Sequence, residues 1–194
     1  MDDPYAVDRR GFLKTSATAA AATTVACASP ESRWRALTGA EAGTLAAVCD
    51  QIVPPDDFPG AAEAGVVTFI DRQLATRERD QLETWQRGVR ALEATAQQRS
   101  GRPFTELSSR EQTALLKDLE AGRVPAAAWE GLDPRAFFDR LVRCTMMGFY
   151  GDPRHGGNRR HVSWRMLGVS PIPIRGRLHE STPPTPGAAK KGGE

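Results

Sequence analysis

The residues best suited to chemistry gather in "GDPRHGGNRRHVSW", residues 151–164. Asp152, His155 and Asn158 offer an acid, an imidazole and an amide, and His161 adds a second imidazole. Imidazoles are the commonest acid–base groups near neutral pH. Arg154, Arg159, Arg160 and Arg165 surround them, and such a basic setting disfavours a further positive charge on either ring. Three readings compete for the stretch: a phosphate-cradling loop, a sharp turn, or a docking element. The phosphate reading lacks a preceding strand and a Lys-Ser/Thr after the glycines. Other acids are Asp56 and Asp57 in "PPDDFPG", Glu63 and Asp71. Paired carboxylates can move protons or bind calcium, but further oxygen ligands at EF-hand spacing are missing. A rigid solvated turn is the favoured reading of that pair.

The sequence lacks G-x-S-x-G, H-E-x-x-H, a Walker loop and G-x-G-x-x-G. His155, His161 and His179 make no i, i+4 pair for a metal. Cys27, Cys49 and Cys144 show neither C-x-x-C nor C-x-x-C-H, so no zinc knuckle, redox motif or attached c-type haem is readable. The expectation is a chain with no catalytic residues, metal or cofactor of its own. Cys49 and Cys144 fall on apolar helical faces, where a disulfide is open and two buried thiols are favoured.

The elements that would position these residues are helical. "TGAE" at 38–41 is a capping box, followed by Leu45, Val48, Cys49 and Ile52 on one face. "PPDDFPG" ends that helix. A second helix is predicted over 61–75 with Val66, Val67, Ile70 and Leu74 inward, and a third over 78–99 with Leu82, Trp85, Val89, Leu92 and Ala96. Ser108 and Glu111 form another capping box before Leu115, Leu116 and Leu119. "AGRVPAAAWEGLDP" reads as a loop with at most one turn. Pro134 suits a first helical position, with Phe137, Phe138, Leu141, Val142, Thr145, Met146 and Phe149 buried. Asp152-Pro153 ends this helix, and Gly156-Gly157 allows φ > 0 before Asn158 caps a last helix over 158–167. With 194 residues, 40% hydrophobic and 26% charged, the chain suits one domain. The fold class is all-α, a single irregular domain of about six helices over 29–170. Residues 171–194 are rich in Pro, Gly and charge and are expected to be a disordered tail. A formal net charge of +2 gives no whole-chain field for nucleic acid.

The start has its own signature. Arg9 and Arg10 precede Gly11, Phe12, Leu13 and Lys14, matching the twin-arginine export pattern. Residues 15–28 are small, mildly apolar and shorter than the ~20 residues of a membrane helix. Ala26-Cys27-Ala28 fits an A-x-A cleavage site, with a mature start near Ser29. "TVAC" also loosely fits a lipoprotein box, with Cys27 as the lipidated residue and Thr24 where Leu is usual. Periplasmic export through the twin-arginine translocase is expected for residues 1–28 acting as signal peptide.

Two separated segments then resemble one family. The first carries Ile52, Pro54, Asp57, Pro59, Gly60, Ala61, Ala64, Gly65, Val66, Phe69, Ile70 and Asp71. The second carries Gly148, Phe149, Asp152, Pro153, Gly156, Gly157, Asn158, Trp164 and Gly168. With the twin-arginine start they resemble the gluconate 2-dehydrogenase subunit 3 family, the small subunit of membrane-bound flavin sugar and alcohol dehydrogenases. His155 departs from the usual aromatic, and Val169-Ser170 from an aromatic-Pro ending. The resemblance implies an accessory subunit without catalysis. Its implied partner is a large FAD subunit of the glucose-methanol-choline type, and in many complexes a multihaem cytochrome c is the third subunit. It implies that the small subunit carries the export signal for both chains. Pro54, Asp57, Pro59, Gly60, Asp152, Pro153, Arg154, Gly156, Gly157, Asn158 and Trp164 are the candidate partner-facing residues. The rival readings are an independent periplasmic enzyme using Asp152, His155 and Asn158, and a binding protein anchored through Cys27.

Overall fold

The computed structural model describes residues 33–169. The export residues Arg9, Arg10, Phe12, Leu13 and Lys14, the Cys27 and Ser29 processing sites and the 171–194 tail lie outside the described residues. The described residues form six α-helices and short 3-10 turns, with no strand among them. The helices are α1 (Gly39–Ile52), α2 (Val66–Ala75), α3 (Leu82–Ser100), α4 (Ser109–Glu120), α5 (Pro134–Tyr150) and α6 (Val162–Met166). None of them is long and apolar enough to cross a membrane. α1 and α5 are the central pair: each packs on the other and on α2, α3 and α4.

Local chemistry sets the helix ends. Thr38 Oγ1 accepts from the Glu41 amide at 3.2 Å, while Glu41 Oε2 accepts from the Thr38 amide at 2.8 Å. Ser108 and Glu111 repeat this box at α4. Asp133 caps α5 through the Arg135 amide, with Pro134 next in line. Gly101, at φ 65°, closes α3 in the left-handed region. The apolar faces then meet as the periodicity predicts. Leu45, Val48, Cys49, Leu92, Ala96, Leu115, Leu119, Leu141 and Phe149 are all buried. Gly88 leaves room for the Phe137 ring, which meets Trp85 edge-on at 5.9 Å and Trp129 at 5.7 Å. Trp129 Nε1 donates to Thr95 Oγ1 at 3.1 Å, so its polar end is satisfied inside the core.

Four expectations change. Residues 61–65 form a turn, and α2 begins only at Val66, because Gly65 takes φ 83° and interrupts the helix. The third helix begins at Leu82, after a 3-10 turn at Arg79–Gln81. Met146 is 42% exposed, because Cys144, Thr145 and Gly148 carry the buried stripe of α5 past it. The last helix begins at Val162, because Asn158, Arg160 and His161 have φ of 45°, 56° and 55°, outside the right-handed helical region.

Asp71 is the fixed point of the N-terminal side. It is 2% exposed, yet it sits on no solvent-facing acid site. Its Oδ1 accepts from the amides of Arg35, Ala36 and Leu37 at 3.0, 2.9 and 3.1 Å, and its Oδ2 accepts from Arg35 at 2.9 Å. Three consecutive amides balance the buried carboxylate and hold residues 35–37 against α2. Asp71→Ala leaves them unsatisfied and should cost about 2–4 kcal/mol in chemical denaturation. Asp71→Asn, which keeps one acceptor oxygen, should lose less. An unchanged midpoint for Asp71→Ala would contradict this role.

Cys49 and Cys144 are both free and buried. Burial is the main cause that pushes the Cys49 thiol up to about 12 from 9.0, against the opposing hydrogen bond of Thr145 and with help from the Asp50 and Cys144 charges. Burial likewise pushes Cys144 up to about 11, helped by Glu78 and opposed by Arg143 and Arg140. Each thiol stays neutral in the fold while the unfolded chain ionises near 9.0. The stabilisation is therefore full below pH 9 and is lost as pH rises towards 11–12. The denaturation midpoint should fall from pH 8 to pH 11, and fall less in Cys49→Ala; parallel pH profiles for the two chains would refute the assignment.

Candidate functional site

The two motif segments, far apart in sequence, meet at one corner between α2 and the end of α5. The first segment builds its side with short turns. Asp56 Oδ1 accepts from the Phe58 amide at 2.8 Å, and the Asp56 amide donates back to the Phe58 carbonyl. Pro54 and Asp57 are exposed, Pro59 is half-buried and Gly60 is buried. A Cβ at Gly60 would come within 2.8 Å of Asp50 Oδ1 and of Pro55. Asp50 Oδ1 accepts from the Ala62 amide at 2.8 Å, tying α1 to this turn. Burial raises the Asp50 carboxyl above its ordinary value, against the Ala62 hydrogen bond. Asp50 lies two residues before the first motif residue, Ile52, and carries no motif signal, so sequence reasoning missed it.

The second segment leaves α5 at Gly151, whose amide still bonds to the Met147 carbonyl. Asp152 Oδ1 accepts from the Arg154 amide at 2.9 Å and lies 3.2 Å from Arg154 Nε. These contacts, the backbone bond first, hold the Asp152 carboxyl below its ordinary value. Gly156 takes φ 107°, as expected of the Gly-Gly pair. Gly157 serves a different purpose, because a Cβ there would run into the Gly148 backbone. Asn158 is fully buried. Its Nδ2 donates to the Gly151 carbonyl at 2.9 Å, and its Oδ1 accepts from the Ser163 amide at 3.0 Å. The amide thus bridges the end of α5 to the first turn of α6, where a cap one residue before a helix was expected. Trp164 Nε1 donates to the Tyr150 carbonyl at 3.1 Å and pins the same two helices.

The halves are joined by direct bonds. The Arg159 amide donates to the Ala64 carbonyl at 2.9 Å, and Arg159 Nη2 to Thr68 Oγ1 at 2.7 Å. Arg72 Nη1 donates to the Arg154 carbonyl at 3.3 Å. Gly65 faces the Gly156 carbonyl so closely that a Cβ would lie 2.8 Å from it, and Gly148 seats against Val66 and Phe69. A groove of about 260 Å³, lined by Pro59, Glu63, Ala64, Arg159, Arg160 and Arg165, runs along this seam.

The chemistry of the corner is mainly that of a frame. Asn158 is fully buried with both ends of its amide bonded, so it presents no free polar group beside exposed His155. Among the described residues no three His, Cys, Asp or Glu side chains gather as metal ligands. Pro54, Asp57, Arg154, His155 and Arg160 face outward, whereas Gly60, Gly156, Gly157 and Asn158 are internal and Trp164 is half-buried. Asn158→Ala removes both bridging bonds and leaves alanine at φ 45°, so it should cost about 2–4 kcal/mol. Asn158→Gly tolerates the φ and should lose less. Thermal denaturation ranks the variants, and hydrogen exchange should show the Ser163 amide unprotected in both. Retained protection would mean that the bridge does not hold α6.

Residues 39–171, more than half of the chain, match the family described as gluconate 2-dehydrogenase subunit 3. No curated protein and no solved structure gives a significant match. The matched span contains both motif segments and the corner that they build. The chain therefore belongs to the gluconate 2-dehydrogenase subunit 3 family, and so to the accessory subunits of a multi-subunit dehydrogenase of that type.

Proposed function

We propose that the chain is the non-catalytic small subunit of a periplasmic, membrane-associated FAD-dependent sugar or alcohol dehydrogenase. In this reading it steadies a large flavoprotein of the glucose-methanol-choline type and carries the twin-arginine signal, centred on Arg9 and Arg10, for the export of both chains. A multihaem cytochrome c is the further partner that would pass electrons onward.

One observation carries the reading beyond the family name. The motif residues meet in a single corner, and their polar groups bond to the chain's own backbone rather than to a shared open site. Motifs used in this way shape a surface, which suits a subunit that works by contact. The helix-start glycine, Gly65, is covered by the Arg159 side chain and the Gly156 carbonyl, so no open phosphate cradle exists there. In this reading the flavin is held by the partner.

Export is the test. Arg9→Lys combined with Arg10→Lys, in the native host, should leave both this chain and the flavoprotein in the cytoplasm, with dehydrogenase activity lost from the periplasmic fraction. Unchanged periplasmic flavoprotein would rule out the escort role.

A further inference from the structure

The large hydrophobic side chains exposed among the described residues lie at the C-terminal end of α5 and just after α6. They are Met146, Met147, Tyr150, Leu167 and Val169, at 42, 52, 37, 59 and 46% exposure. Three of them stand on the last turn of α5. With Phe69 and Gln73 of α2, Arg77, Gly151 and His155, they line a groove of about 430 Å³. Gly148 brings α5 tightly onto Val66 and Phe69, so the groove floor is fixed by the packing of the two helices. Methionines give the wall a deformable apolar surface, and exposed apolar patches of this kind mark contact sites.

We propose that this α2–α5 groove is the docking site for an apolar segment, acidic on its flanks, of the flavin-bearing subunit. The proposal rests on the functional reading above and names the surface through which that subunit is held. Charge selects the occupant. No acid lines the groove. Arg77 stands at its edge, and Arg143 lies on the exposed side of α5, four residues before Met147; against these two cations stands one neighbouring acid, Glu78, whose amide donates to the Gln73 carbonyl. Asp152, next to Gly151, is already held by Arg154. A second copy of the chain would bring the same arginines to the contact. The chain's own 170–194 segment has Arg175, Arg177, Lys190 and Lys191 against only Glu180 and Glu194, so it repels the same edge. A planar lipid surface does not fill a concavity between two helices. An acidic-flanked segment of a different protein satisfies both the apolar floor and the cationic edge.

The full chain, tagged at its C-terminus and expressed in the native host, provides the test. Flavin absorbance near 450 nm in the eluate identifies the partner. Wild type should recover flavoprotein, and Met146→Glu with Met147→Glu should recover at least 10-fold less, at an unchanged melting temperature. Arg77→Glu should lose several-fold, and the difference from wild type should shrink as salt is raised. Arg90→Glu, on the exposed face of α3, should recover as much as wild type. Wild-type recovery from the double methionine variant would overturn the groove while leaving the functional reading intact. So would self-association of the purified wild-type chain abolished by that variant, or binding to anionic phospholipid vesicles abolished by it while flavoprotein recovery is unchanged. Wild type that recovers no flavoprotein at all would overturn the functional reading and the groove together.

Discussion

Gly157 lies so close to the Gly148 backbone that neither main chain leaves room for a side chain between them. This contact turns the chain back onto α5 immediately after the helix ends. Once it is made, Asn158 is within reach of Gly151 and Ser163, and the Arg159 amide is within reach of Ala64. On the other side of the same glycine, α5 seats on Val66 and Phe69. One turn of α5 therefore sets both the α2 packing and the path of the second motif. A methyl group at either glycine would separate surfaces that many other bonds require to be together.

The cost of this arrangement is visible in the backbone. Asn158, Arg160 and His161 all occupy the left-handed region, which is unfavourable for side-chain-bearing residues. Asparagine tolerates it best, and that is the member with both amide ends bonded. The surrounding bonds over-determine the segment: the Arg159 amide and guanidinium reach α2, and Trp164 reaches the end of α5. Strain of this kind persists only where the surrounding structure over-determines it, and it clusters at functional sites. Here it gives Arg160 and His155 outward positions on a rigid base.

Much of the fold was legible in local chemistry. Thr38 with Glu41, Ser108 with Glu111, and Pro134 each marked a helix start that the structure keeps, because caps act within four residues. The faces of α1, α3 and α4 followed from period. What sequence reasoning missed depends on distant partners. Gly65 looked compatible with a helix beginning at 61, and only its contact with Arg159 and Gly156 explains the interruption. Met146 fitted the apolar stripe of α5 but falls outside it, because Cys144, Thr145 and Gly148 carry the buried face there. Asp71 read as a candidate acid, and its amide partners lie more than 30 residues earlier. The motif corner was legible as a pair of segments, and the family match accounts for both. That they bond to each other through Arg159, Arg72 and Ala64 was not.

The Asp71 clamp also has a bearing on assembly order. The bond from the Leu37 amide to Asp71 closes a span of 34 residues that includes all of α1. Loop-closure entropy makes such a bond unfavourable until α1 and α2 are already side by side. Residues 35–37, which precede α1, are thus among the last to be locked, and their locking reports that α1 and α2 are in place. One carboxylate, together with the buried Leu37 side chain, thus couples residues 35–37 to the interior.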